Sequence, residues 1–239
     1  MDMVIKLVQS KLLEKSIKHQ EGLRALGKQV ADEPLAKNAH LLDSTPQIVA
    51  MDTILQNPAT EAVDFNFYFD RLAALLIERA MDNLEFQSKA VITPLGLTYH
   101  GLEPSGPVCA VVILRGGSCF EAGLRRVVPY CQSGRILIQT NYQTGEPELH
   151  FQRLPKDIGS HHNVLVLDPQ MASGGAALMA IKVLIDHGVQ EDRIVFVTYI
   201  AGKNGVNRLA KVFPAMRIII CRIADDDEER WVEKRYFRC

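Results

Sequence analysis

The residues best suited to chemistry are an acid and a run of small residues that follow one hydrophobic segment. Val164–Leu167 is a run of four apolar residues, typical of a parallel strand buried on both faces, and Asp168 comes directly after it. An apolar-periodic pattern over 176–187 then predicts a helix. Small residues before a helix let exposed backbone N–H groups and the helix dipole face an anion. We therefore predict a phosphate cradle beside Asp168, formed by Ala172, Ser173, Gly174, Gly175 and Ala176.

A second candidate anion site follows another apolar run. Val108–Leu114 has the pattern of a buried strand and is followed by Arg115, Gly116 and Gly117. Because the carboxyl ends of parallel strands meet at one edge of a sheet, this basic residue and its glycines should face the same ligand as Asp168. The simpler alternatives are turns without a ligand, with Ser173 as the N-cap of its helix and a plain strand–helix turn after Leu114.

The elements that must position these residues alternate between strand and helix, which indicates a parallel sheet with right-handed crossovers. The predicted strands are Val108–Leu114, Arg135–Thr140, Val164–Leu167, Arg193–Tyr199 and Arg217–Ile223, and the predicted helices between them cover 120–128, 176–187 and 203–213. Upstream, the patterns predict an extended segment over 41–47, a helix over 65–84 with Asp64 as N-cap, and a hairpin over 90–102. The polar stretch 141–154 is interpreted as a hairpin lid over the site.

The first 40 residues differ from the rest. Residues 3–31 have apolar residues at helical spacing, and Asp32-Glu33-Pro34 ends that pattern. We expect an N-terminal helix and linker over 1–40 and one α/β domain over 41–239.

Composition excludes several classes of protein. The net charge of −1 leaves no basic stripe for nucleic acid. The five cysteines are widely spaced and form no Cys-x-x-Cys, which is typical of reduced thiols rather than a disulfide framework or a zinc site. No apolar run has the length of a membrane span, and no signal peptide is recognisable. A cytoplasmic protein that binds neither membrane nor nucleic acid is therefore expected.

The acidic residue and small-residue loop, Asp168-Pro169-x-x-Ala172-Ser173-Gly174-Gly175, resembles the phosphoribosyl-pyrophosphate (PRPP) motif of type I phosphoribosyltransferases, in the form found in uracil phosphoribosyltransferases. Ser173 stands where that family usually has Thr. The resemblance extends, in order, through Ser44–Gln47, Asp64–Leu72, Ile113–Gly117 and Gly134–Gln139. The chain is still more similar to the uracil-phosphoribosyltransferase-like C-terminal half of uridine–cytidine kinase-like proteins, through Thr144–His150 and Arg153–Ile158.

This resemblance implies a type I phosphoribosyltransferase-like fold and the reaction of uracil with PRPP to give UMP and pyrophosphate, in pyrimidine salvage. It implies that Ala172–Ala176 hold the 5′-phosphate, that Asp168 faces the ribose hydroxyls and that Arg115–Gly117 hold pyrophosphate. Asp168 and Arg115 are accordingly the expected catalytic residues. It further implies Mg²⁺ bound with PRPP, a homodimer or higher homo-oligomer, and a uridine kinase as partner.

The chain departs from the family pattern at two places. Thr140 stands where active members carry a lid Arg that stabilises the departing pyrophosphate, which leaves Arg135 and Arg153 as candidate substitutes. The Gly-rich loop that reads uracil is replaced by an acidic run, Asp225–Glu229, followed by Trp231. That run is interpreted as a solvated turn, with magnesium binding as the alternative, and Trp231 as a packing residue or a cover for the base.

Two functional hypotheses follow. The first is a uracil-type phosphoribosyltransferase with altered base recognition. The second is a regulatory module of the same fold that binds PRPP or a nucleotide without efficient transfer.

Overall fold

The computed structural model describes residues 33–141, 143–225 and 228–238. The helix predicted over 3–31 lies outside them. The strands are β1 Ala39–Leu41, β2 Phe86–Ile92, β3 Thr98–Pro104, β4 Val108–Leu114, β5 Gln132–Thr140, β6 Pro147–Arg153, β7 Asn163–Leu167, β8 Gln170–Met171, β9 Ile194–Gly202 and β10 Arg217–Ala224. The helices are α1 Pro46–Gln56, α2 Ala62–Met81, α3 Glu121–Val127, α4 Gly175–Asp186, α5 Lys203–Val212 and α6 Val232–Phe237.

The main sheet has the order β1-β10-β9-β7-β4-β5-β6, with β8 paired to β9. Its strands are parallel except for β6, which runs antiparallel to β5. In the part of the chain that the structure describes, strands β2 and β3 pair only with each other, in an antiparallel hairpin. Helices flank the sheet, so the prediction of an α/β fold with a mostly parallel sheet is confirmed.

The sheet is built from strands that are apolar on both faces. All residues of β7 and β9 are buried, as are the first six of β4, because helices cover the sheet on each side. One hydrophobic cluster joins the sheet to α4 and α5, and the other joins it to α1 and α2. In α2, one helical face supplies Phe65, Phe69, Leu72, Leu76 and Ala80 to the core.

One predicted helix start is wrong, and one helix was not predicted. Helix α2 begins at Ala62, so Asp64 lies in its first turn and is not its N-cap. Residues 46 and 47, expected to be extended, belong to α1. There, Pro46 occupies the first turn and the Thr45 hydroxyl accepts a hydrogen bond from the Ile48 N–H at 3.3 Å. A Thr-Pro pair at this spacing is a helix start signal.

Within the described residues, none of the helices combines the length and apolar character needed to cross a membrane.

Candidate functional site

The predicted phosphate cradle is a backbone turn between β8 and α4. Gly174 has φ 78°, in the left-handed region that favours glycine, and α4 begins at Gly175. The turn packs on α5 so closely that a Cβ placed on Gly205 would lie 1.9 Å from the Ala172 carbonyl oxygen. Ser173 is exposed, and the N-cap residue is Gly174, without a side-chain capping bond. The alternative in which Ser173 caps the helix is therefore wrong.

The second glycine loop lies against the end of β7, as the sequence predicts. Strands β4 and β7 are neighbours, with Val112 paired to Leu167. A Cβ on Gly117 would lie 2.2 Å from the Leu167 carbonyl oxygen, so a larger residue cannot occupy that position without a shift. Arg115 is exposed, and its peptide bond to Leu114 is cis. The loop and Asp168 thus share one edge of the sheet.

Asp168 is buried and forms an ion pair that sequence reasoning missed. Arg230 Nη2 donates to Asp168 Oδ1 at 2.7 Å, and Arg230 Nη1 donates to Oδ2 at 3.3 Å. Burial raises the pKa of Asp168, while the nearby Arg230 charge opposes that rise. The Asp168 charge in turn raises the pKa of Arg230, so the guanidinium stays protonated. The carboxylate expected to face ribose is already engaged by a bidentate partner.

Arg230 also links Asp168 to Glu233, and the Arg230 and Glu233 side chains lie against the second glycine loop. Its Nη2 lies 3.3 Å from Glu233 Oε2. A Cβ placed on Gly116 would lie 2.5 Å from that Glu233 oxygen and 2.7 Å from Arg230 Nη2. The loop that the sequence assigns to an anion therefore contacts a carboxylate and a guanidinium of the same chain.

Several bonds hold the C-terminal segment, residues 228–238, in this place. Gln170 Nε2 donates to the Glu229 carbonyl at 2.8 Å, and Gln170 Oε1 accepts from the Trp231 N–H at 2.9 Å and from the Val232 N–H at 3.4 Å. Further along, Arg235 donates to the Asn57 carbonyl at 2.9 Å and to the Thr60 carbonyl at 2.6 Å. The segment is thus tied to the domain on both sides of Glu233.

Trp231 is a packing residue. Its ring meets the edges of Phe65 and Tyr199, with centroids 6.1 and 6.4 Å away, and its Nε1 donates to Glu228 at 2.7 Å. Glu228 also pairs with Arg222 at 3.3 Å, so this member of the acidic run has protein partners.

The predicted lid is the hairpin of β5 and β6. Thr140 pairs with Pro147 at its tip, and Pro147 approaches the cradle, 3.7 Å from where a Gly175 Cβ would stand. Arg135 and Arg153 lie opposite each other at the other end of the hairpin, level with Val112 of β4. Arg135 forms an ion pair with Glu121 at 2.9 Å. Thr140 therefore lies at the edge of the sheet that carries the cradle. The backbones of Arg135 and Arg153 lie farther from that edge.

The family model described as "Uracil phosphoribosyltransferase" matches residues 42–231. The chain belongs to the uracil phosphoribosyltransferase family. The match ends within the C-terminal segment, after Arg230 and before Glu233.

Curated relatives in the family are of two kinds. The chain is 43% identical over 189 residues to "Uridine-cytidine kinase A" of Dictyostelium discoideum, which covers 79% of this chain and 37% of the relative. It is 41% identical over 219 residues to "Uridine-cytidine kinase-like 1" of Mus musculus, which covers 91% of this chain and 39% of that relative. "Uracil phosphoribosyltransferase" of Saccharomyces cerevisiae is 38% identical over 190 residues, covering 80% of this chain and 87% of the yeast protein. The chain thus spans about two fifths of the kinase-type relatives.

A solved structure, that of the AQ2163 protein from Aquifex aeolicus, has the same fold. Its TM-score is 0.72 at 23% identity, and the match covers 83% of this chain and 97% of that one.

Sequence reasoning missed Arg230 and Glu233, although one signal was available. Where this family has a Gly-rich loop, the chain has charged residues with an Arg and a Glu three positions apart, which share a face when the segment turns helically. Asp168, the partner of Arg230, lies 62 positions before it, and no local pattern connects the two.

Proposed function

We propose that this chain binds a 5′-phosphorylated ribosyl ligand of pyrimidine salvage, with UMP as the representative, and acts as a ligand-binding module rather than an efficient transferase. The observation that carries this proposal is the cradle itself. Its exposed turn stands at the start of α4, beside Asp168 and at the carboxyl edge of a parallel sheet. In this proposal Ala172–Ala176 hold the phosphate, and the ribose faces Asp168 and Arg230.

The lack of a cation at the tip of the β5–β6 hairpin supports weak transfer. Between Arg135 and Arg153 the sequence contains no Lys or Arg, so the lid tip offers no cation to a departing pyrophosphate. Loss of one such stabilising group typically costs about 3–4 kcal/mol of transition-state stabilisation. Arg115 remains exposed beside Gly116 and is the basis of the second candidate, a slow uracil phosphoribosyltransferase.

Magnesium does not have a protein-only site in the described part of the chain, where no three His, Cys, Asp or Glu side chains cluster suitably. The Asp168 carboxylate is engaged by Arg230. The family's Mg²⁺ would therefore depend on ligand phosphates for its coordination, as Mg²⁺ commonly does.

We also propose that copies of this chain associate through the β2–β3 hairpin and act beside a uridine kinase. A two-stranded hairpin is marginal alone, and this one exposes large apolar side chains, among them Leu95 at 87% and Ile92 and Leu102 at 70%. The kinase names of the longer relatives support the second part, with residues 1–40 as the connection to such a domain.

Calorimetry with UMP tests the cradle. We expect Gly174→Val to lower UMP affinity at least tenfold, because a β-branched residue is strained at φ 78° and its Cβ would press on the Gly205 carbonyl oxygen, 3.1 Å away, so the turn must distort. Gly96→Val is the matched control, since Gly96 has φ 79° on the distant hairpin and open space around it. Ser173→Asp adds a negative charge at an exposed position and should also weaken binding without a packing change.

UMP formation from labelled uracil, PRPP and Mg²⁺ is measured beside binding. Binding with little turnover supports the module, and rapid turnover supports the transferase. Unchanged UMP affinity in both cradle variants would reject the proposed site.

A further inference from the structure

The site edge holds two loops suited to anions, and only one of them is open. The cradle at Ala172–Ala176 has an exposed turn at Ser173. The Arg115–Gly117 loop, by contrast, has Glu233 Oε2 within 2.5 Å of the place where a Gly116 Cβ would stand. A carboxylate of the chain itself lies where the second anionic group of a ligand would meet this loop.

We propose that Glu233 is a specificity-determining residue that makes this a monophosphate site and rejects a ligand with a diphosphate at the other end of its ribose. The inference rests on the proposed function, because it takes the cradle as the 5′-phosphate site. It concerns a residue beyond the part of the chain that the family model matches.

The charge balance at this edge supports discrimination against a diphosphate. Asp168 and Glu233 share the single guanidinium of Arg230, so these three side chains carry one net negative charge when both acids are ionised. The exposed Arg115 of the same loop only balances that charge, so the edge offers a diphosphate no net positive charge. An added diphosphate at Gly116 would meet that charge at close range in a partly buried setting, where repulsion is weakly screened. A ribose 5-phosphate in the cradle has no charged group at that end.

The C-terminal segment is anchored too well for Glu233 simply to move aside. Tyr236 donates its hydroxyl hydrogen to Asp70 at 2.8 Å, and Asn66 donates to the Tyr236 carbonyl at 3.2 Å. The Arg235 guanidinium lies 4.8 Å from the Phe65 ring centroid and bonds two carbonyls near α1. These contacts fix the backbone that carries Glu233, and the 3.3 Å contact with Arg230 Nη2 holds its carboxylate beside the loop.

The test is equilibrium binding of two probes, ribose 5-phosphate and PRPP, to the full chain with and without Mg²⁺. We expect the wild type to bind ribose 5-phosphate at least tenfold more tightly than PRPP. Glu233→Gln removes the charge and keeps the shape, and should raise PRPP affinity at least tenfold. Its ribose 5-phosphate affinity should stay within about twofold. Glu233→Ala, which also removes the bulk, should raise PRPP affinity at least as much.

Glu229→Gln is the matched control, because Glu229 is exposed in the same segment, and it should change neither affinity. Thermal melts of each variant report folding independently of binding. An unchanged affinity ratio in both Glu233 variants overturns the proposal while leaving the cradle intact. Weaker PRPP binding by Glu233→Gln only with Mg²⁺ also overturns it, since Glu233 would then hold the metal. Failure of every form to bind ribose 5-phosphate rejects the proposed function itself, and this inference with it.

Discussion

Replacing Gln170 with Met should release the C-terminal segment without touching the cradle. Gln170 is buried, and its side-chain amide bonds the backbone of Glu229 and Trp231 at 2.8 and 2.9 Å, and that of Val232 more weakly at 3.4 Å. Met has a similar volume but offers no comparable donor or acceptor. With about 1 kcal/mol for each of the two good bonds, local opening of the segment becomes easier by about 2 kcal/mol.

Amide hydrogen exchange measures that change directly. A difference of 2 kcal/mol corresponds to about 30-fold faster exchange at the Trp231 and Val232 amides. The chain contains a single tryptophan, so acrylamide quenching of Trp231 fluorescence gives a second reading of the same opening. Exchange in the core strand β9 should change less, because the anchors at Arg235 and Tyr236 remain.

Gln87→Met is the matched control for this substitution. Gln87 lies on the exposed β2 strand, and its side chain bonds only the side chain of Glu103, at 3.2 Å. We expect no change in exchange at Trp231 in that variant. If Gln170→Met leaves the Trp231 and Val232 amides as protected as in the wild type, the segment is not held by Gln170 and this reasoning is refuted.

Two further predictions concern the rest of the domain. Tyr199→Phe should lower the free energy of unfolding, measured by urea denaturation, by about 1–3 kcal/mol. The reason is that the buried Tyr199 hydroxyl bonds Asp52 at 2.5 Å and Gln56 at 2.9 Å. The control Tyr99→Phe, on the exposed hairpin, should leave stability unchanged. Joint Leu97→Ser and Leu102→Ser substitution should lower the mass measured by sedimentation if copies associate through the hairpin, and an unchanged mass would exclude that surface.

Much of the fold could be predicted from local patterns. The continuous apolar runs at Val108–Leu114 and Val164–Leu167 are strands at nearly those bounds because a strand covered on both faces has no polar alternation. The placement of Gly116 and Asp168 at one edge followed from the parallel direction of those strands. The helix starts were harder, since a residue type suited to capping does not fix where a helix begins: Thr45 caps its helix, whereas Asp64 lies inside the first turn of the next one.

The parallel sheet, the two glycine loops at its carboxyl edge and the family to which they point could all be inferred from residue patterns. These depend on runs of residues and on chain direction, which are local properties. Which side chains fill that edge depends on the folded chain. Arg230 and Glu233 come from a charged segment without an apolar period. Arg230 meets Asp168, and Glu233 meets Arg230, because bonds from Gln170 and Arg235 hold that segment against the domain. Ion pairs between residues far apart in the chain leave no periodic signature, so their partners are known only once the backbone is folded.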